Sequence, residues 1–417
     1  MSEDTKVGDN MNFTLMNKNT PVFDFVSEDN TIYAVSMGAV FNEKFSPLGI
    51  EIDDGVVNRT DFNDWLAHRR IPASRAQLKQ GLEKLSYAAK SNITTAYLAE
   101  RCFYLSLSDQ YWIKPEGFEF TWKQINFFTN EFSDDIGKAL FDDESVINPN
   151  LISPCSSSDG VLKKKWQIIN GKRCLIKSGT GTLSQEVYNE QIANIVCNLL
   201  GITNYTKYTA EIMNSRPVSI CDCFVNENTE LVTANDILKH FLPNYRETPF
   251  NHYVNCCRRL GFDVKSSLDE MIIVDYIIGN TDRHYRNLGL IRDVNSLSII
   301  GAAPLYDSGT SLCHDISDNM IDIYADIKSK PFEDRHSQQI KLISQPDRFD
   351  ISDLRYLPEK SQEILSQFGC IPKERIKILS DLLENRAEML SKELCKGYYN
   401  GYDFNDDYAD LHKGRGR

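Results

Sequence analysis

Residues 271–310, MIIVDYIIGNTDRHYRNLGLIRDVNSLSIIGAAPLYDSGT, constrain this chain more than any other stretch. An apolar run leads in and reads as a helix. Ser267 is placed to cap it, with Glu270 three residues on to bond back. Leu268, Met271, Ile272, Tyr276 and Ile278 then fall near one face, and Gly279-Asn280 ends the helix. A polar knot follows, Thr281-Asp282-Arg283-His284-Tyr285-Arg286-Asn287. Two short apolar runs, 288–291 and 297–300, flank Arg292-Asp293-Val294-Asn295-Ser296 and read as a hairpin. A hairpin returns the chain to its start. It therefore brings Asp307, in Leu305-Tyr306-Asp307-Ser308-Gly309, back beside Asp282 and Asn287.

Asp282 and Asn287 are five apart on one loop. At that spacing in a protein-kinase catalytic loop, the Asp receives a hydroxyl proton and the Asn holds Mg²⁺. Asp307 would supply the second metal ligand. Two hard oxygens are what Mg²⁺ takes from protein when phosphates and water supply the rest. The spacing alone is a weak pattern, because polar turns that merely cap a helix share it.

Composition narrows the class. A chain of 417 residues has room for two or three domains, and 41% hydrophobic residues suffice for a sizeable core. The net charge of −13 and a pI near 5.1 argue against a nonspecific nucleic-acid binder, so no direct nucleic-acid binding is expected. The 11 cysteines show no CxxC pair, and Cys221, Cys223 and Cys256-Cys257 lack the company of a zinc site. They read as free thiols in a reducing cytoplasm. No apolar run reaches the roughly 18 residues of a membrane span, and the start, MSEDTKVGDN, is unlike a signal peptide.

In chain order, residues 11–60 alternate apolar runs with turns and predict strands. Helices are predicted over 74–90 and 94–106. The aromatic-rich 105–112, LSLSDQYW, and Trp122-Lys123-Gln124-Ile125-Asn126-Phe127-Phe128 read as packing segments. Residues 142–160 are loop-like. A hairpin over 162–177 turns at Asn170-Gly171, the strongest short hairpin signal. Lys177 ends its second strand behind an apolar run, placed to reach α- and β-phosphates. The helix that follows, 184–200, carries Glu186 and Glu190 one turn apart, and either could pair with Lys177. Further strands are predicted over 208–212 and 218–225, and helices over 234–241, 250–259, 267–279, 359–368 and 373–396. Residues 397–417 read as a disordered tail.

The stretch Ile278-Gly279-Asn280-Thr281-Asp282-Arg283-His284-Tyr285-Arg286-Asn287, followed by Pro304-Leu305-Tyr306-Asp307, resembles the HipA-like serine/threonine kinases. That family has Gly-Asn-x-Asp-x-His-x-x-Asn after an apolar helix, then two strands and an apolar-Tyr-Asp. Asn189-Glu190 matches its Asn-Glu before an apolar helix, which selects Glu190 as the partner of Lys177. The resemblance implies nucleotide contacts from His284, from Asp222 and Phe224 at an adenine-binding hinge, and from a phosphate loop containing Gly160. It implies inhibitory autophosphorylation of a loop serine, for which Ser156, Ser157 and Ser158 are the matching positions. It also implies ATP and Mg²⁺ as cofactors, a protein substrate, and a separate antitoxin or regulator chain. Segments like LSDQYW, Trp-Lys-x-x-Asn-Phe-Phe and Ser-Lys-Pro-Phe occur in related chains.

The expected fold is a two-lobed, protein-kinase-like α+β architecture. Residues 1–145 form an N-terminal accessory region, 146–230 a β-rich small lobe, and 231–396 a helical large lobe. Asp282 would be the catalytic base, Asn287 and Asp307 the metal ligands, and Lys177 the phosphate holder. Two alternatives remain: a pseudokinase that binds nucleotide without turnover, and a phosphoinositide-type lipid kinase. The acidic charge and the lack of a basic amphipathic helix speak against the lipid kinase and against a membrane partner.

Overall fold

The computed structural model describes residues 10–28, 33–157 and 160–400. The chain opens with a four-stranded antiparallel sheet. Its strands are β1 (Asn10–Asn17), β2 (Thr20–Glu28), β3 (Ala34–Val40) and β6 (Tyr111–Pro115), in the order β3-β2-β1-β6. A two-stranded ribbon, β4 (Ile52–Asp53) and β5 (Val56–Val57), precedes helix α1 (Arg59–His68). Asn58 caps α1 by accepting from the backbone N–H of Thr60 and Asp61. Phe62 of α1 packs on Phe25 of β2 with ring centroids 4.7 Å apart, and this is the centre of the first core.

Helix α2 (Leu78–Ala89) starts later than expected, because Arg75 N–H closes a turn on Pro72. Helix α3 (Thr95–Arg101) stops well short of 106. Phe103 and Tyr104 take φ of 52° and 56°, and two left-handed residues in succession cannot continue a helix. Short helices α4 (Trp122–Ile125) and α5 (Asp135–Gly137) complete this part of the chain.

The second sheet contains β7 (Lys164–Ile169), β8 (Lys172–Ser178), β9 (Tyr208–Met213) and β10 (Arg216–Asp222). Its order is β7-β8-β10-β9, antiparallel throughout. Asn170 and Gly171 turn the β7–β8 hairpin with φ of 51° and 77°, the doubly left-handed turn that Asn-Gly favours. Helix α6 (Gln185–Leu199) follows β8.

A three-stranded sheet, β11 (Thr229–Thr233), β12 (Gly289–Asp293) and β13 (Ile299–Ala302), is antiparallel and joins the helical part. The β12–β13 pair is the hairpin expected after Asn287. The expected break at 230/231 falls inside β11. The helices are α7 (Ala234–His240), α8 (Pro249–Arg259), α9 (Lys265–Ile278), α10 (His336–Gln339), α11 (Leu357–Ser366) and α12 (Lys373–Asn400).

Two expectations for α9 need correction. The start of α9 lies at Lys265, not at a Ser267 cap. Asp263 accepts from the Lys265 N–H and leaves Ser267 inside the first turn. Nor does α9 show one apolar face: every residue from Met271 to Ile278 is buried. It is the central helix of a core that also takes side chains from α6, α8, α11 and α12. The expected tail, 397–417, is helical over its first four residues, where α12 continues; residues 401–417 lie outside the described residues. Among the described residues no helix is long and apolar enough to cross a membrane, and the ten described cysteines are free thiols.

Candidate active site

Lys177 sits on β8, an inner strand, with Ser219 of β10 on one side and Lys164 of β7 on the other. Its ammonium is buried. It donates to Glu190 Oε1 at 3.0 Å, to Tyr208 Oη at 3.2 Å and to Asp307 Oδ1 at 2.6 Å. Burial works against this charge, but the two carboxylates outweigh it and hold the Lys177 pKa well above its ordinary value. Asp307 has the same balance in reverse. Burial raises its pKa, yet Lys177 at contact, with Lys164 and Arg283 further off, keeps the carboxyl well below the usual range. Burial, with the Asp307 charge, leaves Glu190 raised despite Lys177.

The two neighbours Asn189 and Glu190 both grip the segment after Asp307. Glu190 Oε2 accepts from Ser308 N–H at 2.9 Å, and Asn189 Nδ2 donates to Gly309 O and Ser311 O, each at 2.8 Å. Asp307 itself has φ of 59°, an unfavourable conformation for a residue with a Cβ. Its N–H donates to Tyr208 Oη at 3.3 Å, so bonds on both sides of the residue fix it there. Glu186, the other helix carboxylate, turns instead to the Thr180 N–H at 3.0 Å.

The polar knot is built around Arg283. This side chain is 1% exposed and forms a two-pronged pair with Asp275 of α9, at 2.8 and 2.9 Å. It also donates to Asn287 O at 3.0 Å, to Ser308 Oγ at 3.1 Å and to Tyr306 O. One guanidinium thus ties α9, the 282–287 loop and the Asp307 segment together. Asn280, fully buried, donates to Asp275 Oδ1 at 2.9 Å and accepts from Asp282 N–H at 3.0 Å. Asn287 Nδ2 donates to Asp282 O at 3.3 Å, which leaves the amide oxygen as its ligand atom. His284 Nδ1 accepts from Arg286 N–H at 3.3 Å, so its proton is on Nε2. Asp282 is half-exposed, and Lys330 Nζ lies 2.9 Å from its Oδ1.

Part of this arrangement opens on a cleft of about 530 Å³, whose lining does not include Asp282 or Glu190. Lys177, Asp307, Asn287 and His284 line it, as do Gly160, Asp222 and Phe224. The Phe224 ring lies 5.2 Å from that of Tyr306. The Asp222 carboxylate points away and pairs with Lys172 at 2.5 Å, so its place in the cleft is through its main chain. Gly160, with φ of 96°, accepts from Arg75 Nε at 3.2 Å. Ser156 is fully buried, and its Oγ donates to Ser153 O at 2.9 Å. Ser157 lines the cleft while its Oγ donates to Leu105 O at 2.9 Å. Ser158 lies outside the described residues.

Sequence reasoning missed one whole wall. Residues 105–111 run along residues 223–231. Leu231 N–H donates to Ser108 O at 2.9 Å, and Gln110 Nε2 donates to Asn226 O at 2.8 Å and Thr229 O at 2.9 Å. Ser106, Ser108 and Asp109 line the cleft with Trp65, His68 and Arg69 of the front region. His68 Nδ1 donates to Asp64 O at 2.7 Å and Nε2 accepts from Arg286, which links α1 to the 282–287 loop.

The chain has a two-lobed, kinase-like fold. A small antiparallel sheet carries the buried lysine, a helix supplies its carboxylate, and a mainly helical lobe carries Asp282, Asn287 and Asp307. No family model and no curated protein matches it. Two solved structures are similar. The proinflammatory kinase CtkA of Helicobacter pylori has a TM-score of 0.43 and 16% identity, over 57% of this chain and 95% of its own. HipA of Shewanella oneidensis, solved with HipB and operator DNA of that toxin–antitoxin system, has a TM-score of 0.49 and 12% identity, over 91% and 97%.

Proposed function

We propose that this kinase-like chain is a HipA-like serine/threonine protein kinase that transfers the γ-phosphoryl group of ATP to a protein hydroxyl. The observation that carries the reading is the buried Lys177, held within 3.0 Å of Glu190 and Asp307, on the same cleft as Asn287. Such a lysine holds phosphates, and its carboxylate partner keeps it extended. The donor set suits Mg²⁺: a carboxylate from Asp307 and an amide oxygen from Asn287, both hard ligands. Bound there, Mg²⁺ supplies neutralisation of the phosphate charge.

The protein's own part is positioning and electrostatics. Lys177 orients the phosphates. Asp282 orients the acceptor hydroxyl and takes its proton. The main chain at Asp222 and Phe224 receives the base, and His284 offers its Nε2–H to the nucleotide. Arg283 keeps Asp282, Asn287 and Asp307 in register. Self-phosphorylation at Ser156, Ser157 or Ser158 belongs to the same reading. It requires the turn Pro154–Ser157 to leave its seat, because the Ser156 and Ser157 hydroxyls bond inward. A cytoplasmic setting and a separate antitoxin-like regulator chain complete the proposal. The test is incubation with γ-labelled ATP and Mg²⁺, read by mass spectrometry on the chain and on added acceptor proteins. Label on serine or threonine is expected. Nucleotide binding without label on any acceptor would convert the reading to a pseudokinase.

A further inference from the structure

Lys330 lies 48 residues beyond Asp282, yet its Nζ is 2.9 Å from Asp282 Oδ1. The two side chains are 52% and 43% exposed. Ion pairs that open to water contribute little to stability, so the fold has no need of this one. The main chain beneath Lys330 is built to a different standard. Gln339 is fully buried, and its amide clamps the loop from both ends. Its Nε2 donates to Lys330 O at 2.9 Å, and its Oε1 accepts from Phe332 N–H at 3.1 Å and Glu333 N–H at 3.4 Å. Ser329, also buried, donates to Glu333 O at 2.7 Å. The Phe332 ring packs 6.0 Å from that of Tyr285, three residues after Asp282. A buried clamp thus shares its floor with the 282–287 loop and presents a lysine to that loop's half-exposed carboxylate. Support of this kind is how preorganised charges are held.

Of the other cations around these groups, Lys164 and Arg286 line the cleft, and Arg283 and Lys177 have buried duties. Arg283 is bound to Asp275, and Lys177 lies between Glu190 and Asp307. We propose that Lys330 is a catalytic cation of phosphoryl transfer, an inference that rests on the kinase reading above. In the resting state it faces the Asp282 carboxylate. During transfer, the bond from the acceptor oxygen to the γ-phosphorus forms as the bond from that phosphorus to the bridging oxygen breaks. The hydroxyl proton passes to Asp282, and the electron pair of the broken bond leaves on ADP. Asp282 becomes neutral at the stage when negative charge is concentrated on the phosphoryl oxygens. Lys330 keeps its protons and exchanges one anion for the other. The interaction is stronger in the transition state than before it, which is the condition for acceleration.

The test uses the full chain with Lys330→Ala, Lys330→Arg and, as a control on the exposed Lys328 nearby, Lys328→Ala. Three quantities are read: kcat for transfer, affinity for ADP, and the gain in affinity when aluminium fluoride is added to ADP as a mimic of the transferring group. Lys330→Ala is expected to keep ADP affinity and melting temperature. Its kcat should fall by about 10²-fold, the scale of losing one transition-state donor, and the fluoride gain should shrink alongside. Lys330→Arg should recover part of both, and Lys328→Ala should change neither. Wild-type kcat and an undiminished fluoride gain in Lys330→Ala would overturn the inference and leave the kinase reading standing. Equal losses of ADP affinity and kcat would reduce Lys330 to a structural role and also overturn it. A wild type that neither transfers phosphate nor gains affinity with fluoride would remove the kinase reading, and this inference with it.

Discussion

Lys177 has three partners within 3.2 Å and almost no water, so its removal has two separable consequences. Lys177→Met leaves the buried Glu190 and the partly exposed Asp307 as adjacent carboxylates. Stability should fall by about 3–5 kcal/mol, the usual cost of breaking a buried pair, and calorimetry should find nucleotide affinity lost. Unchanged nucleotide affinity in folded protein would remove Lys177 from the site. His336 offers a pH test of the same region. Its Nε2 donates to Asn280 O at 2.9 Å, and burial, helped by Arg386, pushes its pKa down to about 3. The unfolded chain protonates this residue near pH 6.5 and the folded chain does not. Its contribution is therefore complete above that pH and is lost as pH falls toward 3, by up to about 1.4 kcal/mol per unit. In urea melts between pH 7 and 5, His336→Gln should show a shallower loss than the wild type. Parallel slopes would contradict the assignment. At this scale the pairing of Lys177 with Glu190 was legible, though the resemblance and not the spacing chose Glu190 over Glu186. Arg283 and Asn280 were not, because nothing local distinguishes a buried arginine or asparagine from its exposed neighbours. Asp275, read as part of an apolar helix, hid the partner that would have betrayed them.

Helix α9 shows what a periodicity argument can miss. Its stripe was real, but the residues between the stripe positions are buried too, because helices and strands cover it from every side. A short apolar run does not reveal how many neighbours will surround it. Its end was legible: Gly279 has φ of 61°, and Asn280 N–H closes the cap on Asp275 O at 3.0 Å. A Cβ at Gly279 would stand 2.8 Å from Ile327 Cδ1. Gly279→Ala should therefore cost about 1–2 kcal/mol from the left-handed backbone alone, with more from the crowding. Chemical denaturation will measure it, and a neutral result would mean that the cap is not as described. The end of α3 and the start of α9 differ from expectation for a common reason. Both are set by single local contacts, the left-handed pair Phe103-Tyr104 and the Asp263 carboxylate, which propensity does not register.

Across the whole molecule, the front region and the kinase-like lobes meet along the cleft. The local sequence of 105–112 predicts packing, and much of it does pack: Trp112 and Tyr111 are buried. What it could not supply was the partner, since the segment's contacts with 223–231 join residues over a hundred positions apart. Arg69 holds this wall. It pairs with Asp109 at 2.7 Å and 2.9 Å and donates to Tyr104 O at 2.8 Å and Tyr111 O at 3.1 Å. Arg69→Met should lower stability by about 3 kcal/mol. It should also weaken nucleotide binding, although Arg69 lies far in sequence from every motif of the site. Calorimetry on the folded variant checks this, and wild-type affinity would show that the wall is passive.

Asp282 and Asp307 are proposed to perform different tasks in one phosphoryl transfer. The direct measurement is nucleotide affinity, with and without Mg²⁺, beside the rate of transfer from γ-labelled ATP, for Asp282→Asn and Asp307→Asn. Asp282→Asn removes the proton acceptor and keeps the volume. It should bind Mg·ATP nearly as the wild type does, while transfer falls by about 10²-fold or more. Asp307→Asn removes a charged metal ligand, and it should lose Mg²⁺-dependent affinity together with turnover. Transfer at the wild-type rate by Asp282→Asn would contradict the account.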